Sequence, residues 1–233
     1  MWTGRSEVIV KGAQGVVNNA VDFFDMVGQT DWQMSVERTL VYWMGVHPSH
    51  EVLDVGCGAG HFVTLLAQRA GFVTGVDASQ DMVERANRNL SEYGVSNAAV
   101  VQGRIQNLPF QNDRFDIVTC LNLLFMYEDP TPLMRELVRV CRPGGQVVLV
   151  EPSQIFNPWS AQTYCAQTKL YDFERDSLLS FATAAARYRR VNSEVMDKAV
   201  QDTGIEQVDR SEALEGLIHL TRLHKPVAQA CQS

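Results

Sequence analysis

The chain has 233 residues, 45% of them apolar and 20% charged, the composition of a folded globular domain. A formal net charge of −7 argues against a nucleic-acid backbone as the main partner, because phosphate binding wants a basic field. No run of eighteen apolar residues suits a membrane span. Met1–Lys11 lacks the features of a secretory leader, so a cytoplasmic protein is expected. The five cysteines (Cys57, Cys120, Cys141, Cys165, Cys231) show neither C-x-x-C spacing nor histidine partners. Reduced thiols and no metal are expected.

Val16–Val46 carries apolar residues at helical spacing (Val17, Val21, Phe24, Leu40, Trp43, Met44) and reads as one or two helices. His47-Pro48-Ser49-His50 ends them. Short apolar runs then alternate with helical segments. Strands are predicted near 52–55, 72–76, 98–102, 115–120 and 146–151, with helices near 60–70, 79–91 and 131–141. Pro152–Asn192 is rich in aromatics and holds no convincing strand. A helix at 193–203 and strands at 205–210 and 217–223 follow, the last antiparallel. This rhythm predicts a doubly wound α/β fold with a seven-stranded mixed sheet.

Residues 51–60 read E-V-L-D-V-G-C-G-A-G, an apolar run ending in Asp54 and then Gly56, Gly58 and Gly60. A loop of this composition turns tightly and lets a ligand lie against the backbone, at a helix N-terminus that favours negative charge. The dinucleotide fingerprint wants a third small residue five places after the first, and that place is His61. Asp77, twenty-one residues after Gly56, ends the second predicted strand, where a carboxylate can accept both ribose hydroxyls of a nucleoside. Asp54 would repel a pyrophosphate and tolerate a cationic ligand. Cys57, beside the glycines, reads as a small residue that fits there.

Beyond the loop come the segments V-V-Q-G-R-I-Q-N-L-P-F (100–110), R-F-D-I-V-T-C-L (114–121) and the R-P-G-G turn at 142–145. With them, Val52–Glu151 resembles the class I S-adenosylmethionine-dependent methyltransferases, in the small-molecule branch that includes the ubiquinone and menaquinone biosynthesis enzymes. The resemblance implies a Rossmann-like sheet with helices on both faces, N-terminal helices, and a cap segment after the fifth strand. One domain is expected over 1–233: a helical cap at 1–50, a cofactor core at 51–151, a substrate-cap insertion at 152–192 and closing elements at 193–233. The implied cofactor is S-adenosyl-L-methionine, with S-adenosyl-L-homocysteine as product.

Residue by residue, Asp54, Gly56, Cys57 and Gly58 match the methionine-lining loop, and Asp77 matches the ribose acid. Ala78 and Met82 match adenine-packing positions, and Leu121 lies beside the sulfonium. Arg104 stands where the family usually has an adenine-binding acid, which leaves that contact to the backbone at Arg104 and Ile105 or to packing.

The implied partner is a small, apolar or aromatic methyl acceptor. His61 and Tyr127 are candidate catalytic residues; Phe24, Trp32, Trp159 and Tyr164 are candidate substrate contacts. Arg187-Tyr188-Arg189-Arg190 could hold an anionic group of the acceptor or form a solvated helix face. His47 and His50 fall at the wrong end of the sheet, and His219 and His224 in the closing hairpin read as structural. No (Asp/Asn/Ser)-Pro-Pro-(Tyr/Phe) segment follows the fourth strand and no Pro-Cys pair occurs, which disfavours nucleic-acid base methylation. The rivals are a nicotinamide-dependent oxidoreductase and a non-catalytic cofactor-binding partner of another subunit.

Overall fold

The structure is a computed structural model that describes residues 11–12, 15–16, 19–188 and 193–227. Two short strands, β1 (Lys11–Gly12) and β2 (Gly15–Val16), pair antiparallel. Helices α1 (Ala20–Val27) and α2 (Asp31–Met44) follow, started by Asn19 and Thr30, whose side chains accept the Asp22 and Gln33 N–H groups. The expected N-terminal helical run is therefore two helices.

The core alternates β3 (Glu51–Val55), α3 (His61–Ala67), β4 (Phe72–Asp77), α4 (Gln80–Glu92), β5 (Ala98–Gln102), β6 (Phe115–Leu121), α5 (Thr131–Val140) and β7 (Cys141–Pro152). Two helices then fill the strandless region, α6 (Pro158–Thr168) and α7 (Asp172–Tyr188). The chain closes with α8 (Ser193–Gln201), β8 (Val208–Ala213) and β9 (Ile218–His224).

The seven long strands form one sheet in the order β5-β4-β3-β6-β7-β9-β8. Strands β3 to β7 pair parallel, and β9 runs antiparallel to both of its neighbours. The sheet order reverses between β3 and β6, so a crevice opens beyond their carboxyl ends. Apolar side chains cover both faces. Val52, Val63, Val73, Ala86, Val148 and Leu178 belong to the core on the α2, α3, α4, α6 and α7 side. Leu53, Val55, Val118, Leu137, Val147 and Val200 belong to the core on the α5 and α8 side.

Two strand bounds depart from the sequence reading. The strand expected at 205–210 lies at 208–213: its sequence V-D-R-S-E-A is polar because β8 is a sheet edge, and pairing with β9 rather than apolar content places it. Strand β7 begins five residues early, at Cys141 just before the Arg-Pro-Gly-Gly segment, because Cys141 pairs with Phe115 before the register shifts.

Gly75 shows how close the packing is. It pairs with Asp54, and a Cβ there would sit 2.9 Å from Cys57 Sγ and Val100 Cγ2 and 3.0 Å from Val63 Cγ2. Gly75→Ala is expected to destabilise the fold by about 1–3 kcal/mol through overpacking, read as a lower midpoint in chemical denaturation. An unchanged midpoint would show that the strand has room for a methyl group.

Candidate functional site

The turn after β3 is built by backbone conformations that glycine supplies. Gly56, Gly58 and Gly60 have φ of +77°, +54° and +81°. Gly56 and Cys57 donate to Val76 O at 2.8 and 3.1 Å, which ties the turn to β4. The Asp77 carboxylate completes the tie: Oδ2 accepts from Gly58 N–H at 3.0 Å and Oδ1 from Ser79 N–H at 2.9 Å. Burial raises the Asp77 pKa against these backbone bonds. The space where a Gly58 Cβ would stand is open, whereas Gly60 is closed off by Ala86 at 2.9 Å.

Asp54 is 3% exposed in the middle of the sheet, and Thr119 Oγ1 donates to its Oδ1 at 2.7 Å. Burial pushes its pKa up to about 7, against the Thr119 bond and helped by the nearby Asp77 charge. Glu37 of α2 is equally enclosed and accepts from Gln33 Nε2 at 2.9 Å. Burial first, then the charge of Asp54, raise it to about 8. Glu151, near the end of β7, accepts the N–H groups of Leu124 and Phe125 at 3.0 and 2.9 Å. Burial lifts it to about 8 against those bonds. Among the described residues, no cation lies within ion-pairing distance of Asp54, Glu37 or Glu151.

Glu37 and Glu151 were not singled out from the sequence. Glu151 carried a usable signal: like Asp54 and Asp77, it is an acid at the carboxyl end of a parallel strand. Glu37 carried none, because an acid four residues after Gln33 looks like any solvated helix pair.

His61 is tied to the N-terminal helices. Its Nε2 lies 3.0 Å from Asp25 Oδ1, and its ring occupies the space beside Gly28, where a Cβ would meet Cδ2 at 2.4 Å. Asp25 also accepts from Asn89 at 2.6 Å and Arg85 at 2.7 Å, and Arg85 reaches Asp22 at 2.5 Å. Burial raises the Asp25 pKa, but the Asn89, His61 and Arg85 contacts outweigh it and hold the carboxyl below its ordinary value. The His61 ring therefore fastens α1 to α3.

The aromatic candidates divide. Trp32 is core: 4% exposed, it donates to Ser177 Oγ at 3.1 Å and stacks on Phe181. Trp159, 78% exposed, stands on the surface of α6. Phe24 is part exposed beside Phe23, and Tyr164 packs against the core on the α6 side. Tyr127 is half-buried and its hydroxyl accepts from Gln106 Nε2 at 3.3 Å. Burial raises its pKa, so the phenol stays protonated at neutral pH. Met82 and Ile105 are buried, Ala78 and Arg104 are exposed, and Leu121 packs against the core below the crevice. Arg189, Arg190 and Cys231 lie outside the described residues; Cys57, Cys120, Cys141 and Cys165 are buried free thiols.

Among the described residues no group of histidine, cysteine or acidic side chains could hold a metal, and no helix is long and apolar enough to cross a membrane. His47 and His50 lie before β3, and His224 pairs with Asp209 at 2.8 Å in the closing hairpin.

Residues 53–149 match the methyltransferase domain family. The chain is 39% identical over 102 residues to an uncharacterized methyltransferase, YcgJ, of Bacillus subtilis, a match over 44% of this chain and 40% of that one. It is 32% identical over 165 residues to a demethylmenaquinone methyltransferase of Staphylococcus saprophyticus, over 70% of this chain and 65% of that protein. The chain thus spans less than two thirds of these curated relatives. The crystal structure of a SAM dependent methyltransferase from Aquifex aeolicus superposes with a TM-score of 0.63 at 16% identity, over 88% of this chain and 97% of that one, which shows a shared fold. Residues 53–149 therefore carry a methyltransferase domain, and in sequence and fold the chain is similar to the class I S-adenosylmethionine-dependent methyltransferases, with demethylmenaquinone methyltransferases among the proteins it resembles.

Proposed function

We propose that this chain transfers a methyl group from S-adenosylmethionine to a small, apolar or aromatic acceptor. The observation that carries the reading is a set of buried carboxyl groups, Asp54, Glu37 and Glu151, with no ion-pairing cation among the described residues, together with a glycine turn held by Asp77. Such a site suits a nucleoside that brings its own positive charges. Asp77 fits the ribose end, because each of its oxygens accepts one backbone N–H and keeps lone-pair capacity for a hydroxyl. The open face of Gly58 leaves room for a ligand against the backbone. Asp54 and Glu37 fit the ammonium of the methionine part and would repel the pyrophosphate of a nicotinamide cofactor.

When bound, the cofactor supplies a methyl group already activated by its positive sulfur. The chain's part is alignment and exclusion of water. Orientation of this kind contributes on the order of 7–11 kcal/mol in favourable cases. The loop after β6, held by Glu151, and the α1, α2, α6 and α7 layer are the elements that would fix the acceptor. Tyr127 stands on that loop as a hydrogen-bond donor to the acceptor, not as a base. Similarity to demethylmenaquinone methyltransferases supports an acceptor of that general chemistry.

S-adenosylhomocysteine is expected to raise the melting temperature, and NAD to leave it unchanged. The reverse result would sink the reading in favour of an oxidoreductase. Tight binding with no turnover on a broad acceptor panel would instead favour the non-catalytic partner. Asp77→Ala should weaken S-adenosylhomocysteine by about 2–3 kcal/mol in calorimetry, as two hydroxyls lose a charged acceptor. Unchanged affinity would remove Asp77 from the ribose site.

The buried acids also predict a pH dependence. Glu37, Asp54 and Glu151 bind protons more tightly folded (about 8, 7 and 8) than unfolded (about 4.5, 3.8 and 4.5). Between those limits the native state holds more protons, so ligand-free stability should fall as pH rises from about 5 to 8. A cationic ligand favours the ionised acids, so stabilisation by S-adenosylmethionine should grow over the same window. Melting curves at several pH values check both slopes, and stability that rises with pH in the free protein would contradict the first.

A further inference from the structure

Strands β7, β9 and β8 turn one face toward α8, and the character of that face changes along their length. Alternate residues of a strand share a face, so paired positions stack in rows across the three strands. The row Val147–Leu223–Val208 is apolar and packs with Val200 of α8. The next row toward the carboxyl end of β7 is Leu149–Thr221–Arg210, and the one beyond it is Glu151–His219–Glu212. Leu149 is the only apolar member of those two rows. A helix packs dry against an apolar sheet face, and the first half of α8 does not close on these polar rows. Its Met196 and Asp197 line, together with them, a cavity of about 390 Å³, a volume within the range of small-molecule sites. No residue of the glycine turn lines this cavity, and neither does Asp54 or Asp77.

The lining is amphipathic. Phe125, Leu149 and Met196 give it an apolar part. Its guanidinium, Arg210, is committed to Asp197, Nη2 donating to Oδ1 at 2.6 Å. Glu151 and Glu212 meet no lysine or arginine within ion-pairing distance among the described residues. Glu212 has His219 Nε2 at 3.8 Å, beyond hydrogen-bond distance. Glu151 is 8% exposed, and each of its oxygens accepts one loop N–H and keeps a lone pair. The carboxyl groups of Glu151, Asp197 and Glu212 thus face a single guanidinium, in a chain of net charge −7. An apolar body with a positive end fits such a lining, and an anion does not.

We propose that this cavity is a second small-molecule site, for an amphipathic organic amine, and that its occupancy is felt by the loop after β6. An ammonium beside Glu151 favours the ionised carboxylate, and ionisation strengthens the bonds that hold the Leu124 and Phe125 N–H groups. Binding of the amine does not depend on the cofactor reading.

The test uses the full chain, isotopically labelled at its methionine methyl groups, with no methyl donor present. Phenethylamine, neutral phenethyl alcohol and anionic phenylpropionate serve as probes, and Met196→Leu assigns the Met196 signal in the magnetic resonance spectrum. The amine should shift that signal saturably, with a dissociation constant on the order of 1 mM, and should bind about tenfold more tightly than the alcohol or the carboxylate. Glu212→Gln, at an exposed position, should weaken the amine by about threefold to fivefold. Hydrogen exchange at the Leu124 and Phe125 amides should slow severalfold in the complex. A Met196 signal unmoved at about 10 mM amine would overturn the site. Equal or tighter binding of the alcohol or the carboxylate, or full amine affinity in Glu212→Gln, would overturn its assignment to an amine. Binding with no change in exchange would overturn the link to the loop.

Discussion

Acidic side chains buried in and beside the carboxyl end of the sheet, with no ion-pairing cation among the described residues, are the constraint that organises this molecule. Asp54 lies between Gly75 on β4 and Thr119 on β6, the two neighbours its strand can have. One neighbour has no side chain and the other supplies a single hydroxyl. A carboxylate removed from water without a counter-ion costs several kcal/mol, more than one hydroxyl contact returns. Glu37 leans in from α2 and aggravates the problem. Natural sequences rarely keep such an arrangement for packing alone, since an apolar residue would be more stable in each place. On the proposed reading, the acid is retained because the positive charge of the cofactor meets it, beside the glycine turn and the Asp77 anchor.

The parts of the chain outside the methyltransferase match are tied to this crevice by polar contacts as well as by packing. Asp25 gathers His61, Asn89 and Arg85, so α1 is fixed to the two helices that flank the turn. Asn89 also donates to Ala59 O, which links the same cluster to the turn itself. On α2, Trp32 donates to Ser177 of α7, while Glu37, five residues later, feels the charge of Asp54. One helix is thus coupled both to the cap and to the acid in the sheet. Buried polar networks of this kind fix one arrangement of elements more sharply than apolar contact does.

How far the sequence could be read follows from which signals are local. The β3 turn, Asp77 and the alternation of strands and helices are short-range patterns, and each lies where its pattern placed it. The β8 strand was displaced because an edge strand has little apolar content to announce it. His61 looked available because its partner, Asp25, lies thirty-six residues away on a helix with no family motif. Trp32 and Trp159 are the same residue type in similar amphipathic surroundings, yet one is core and the other stands in solvent. Which face of a helix is covered depends on the neighbour that arrives, and periodicity alone does not contain that neighbour.

Glu151 connects these threads. Its two oxygens accept from separate N–H groups on the loop after β6, a geometry that suits the ionised carboxylate, which has acceptors on both oxygens and no proton to place. Burial pulls the other way and lifts its pKa to about 8, which favours the protonated form at neutral pH. A positive ligand in the crevice favours the ionised form by attraction across a low-dielectric space. Ionisation in turn strengthens the two bonds that hold Leu124 and Phe125, and with them the loop on which Tyr127 stands. A positive charge near Glu151 and the hold of its carboxylate on this loop therefore support each other.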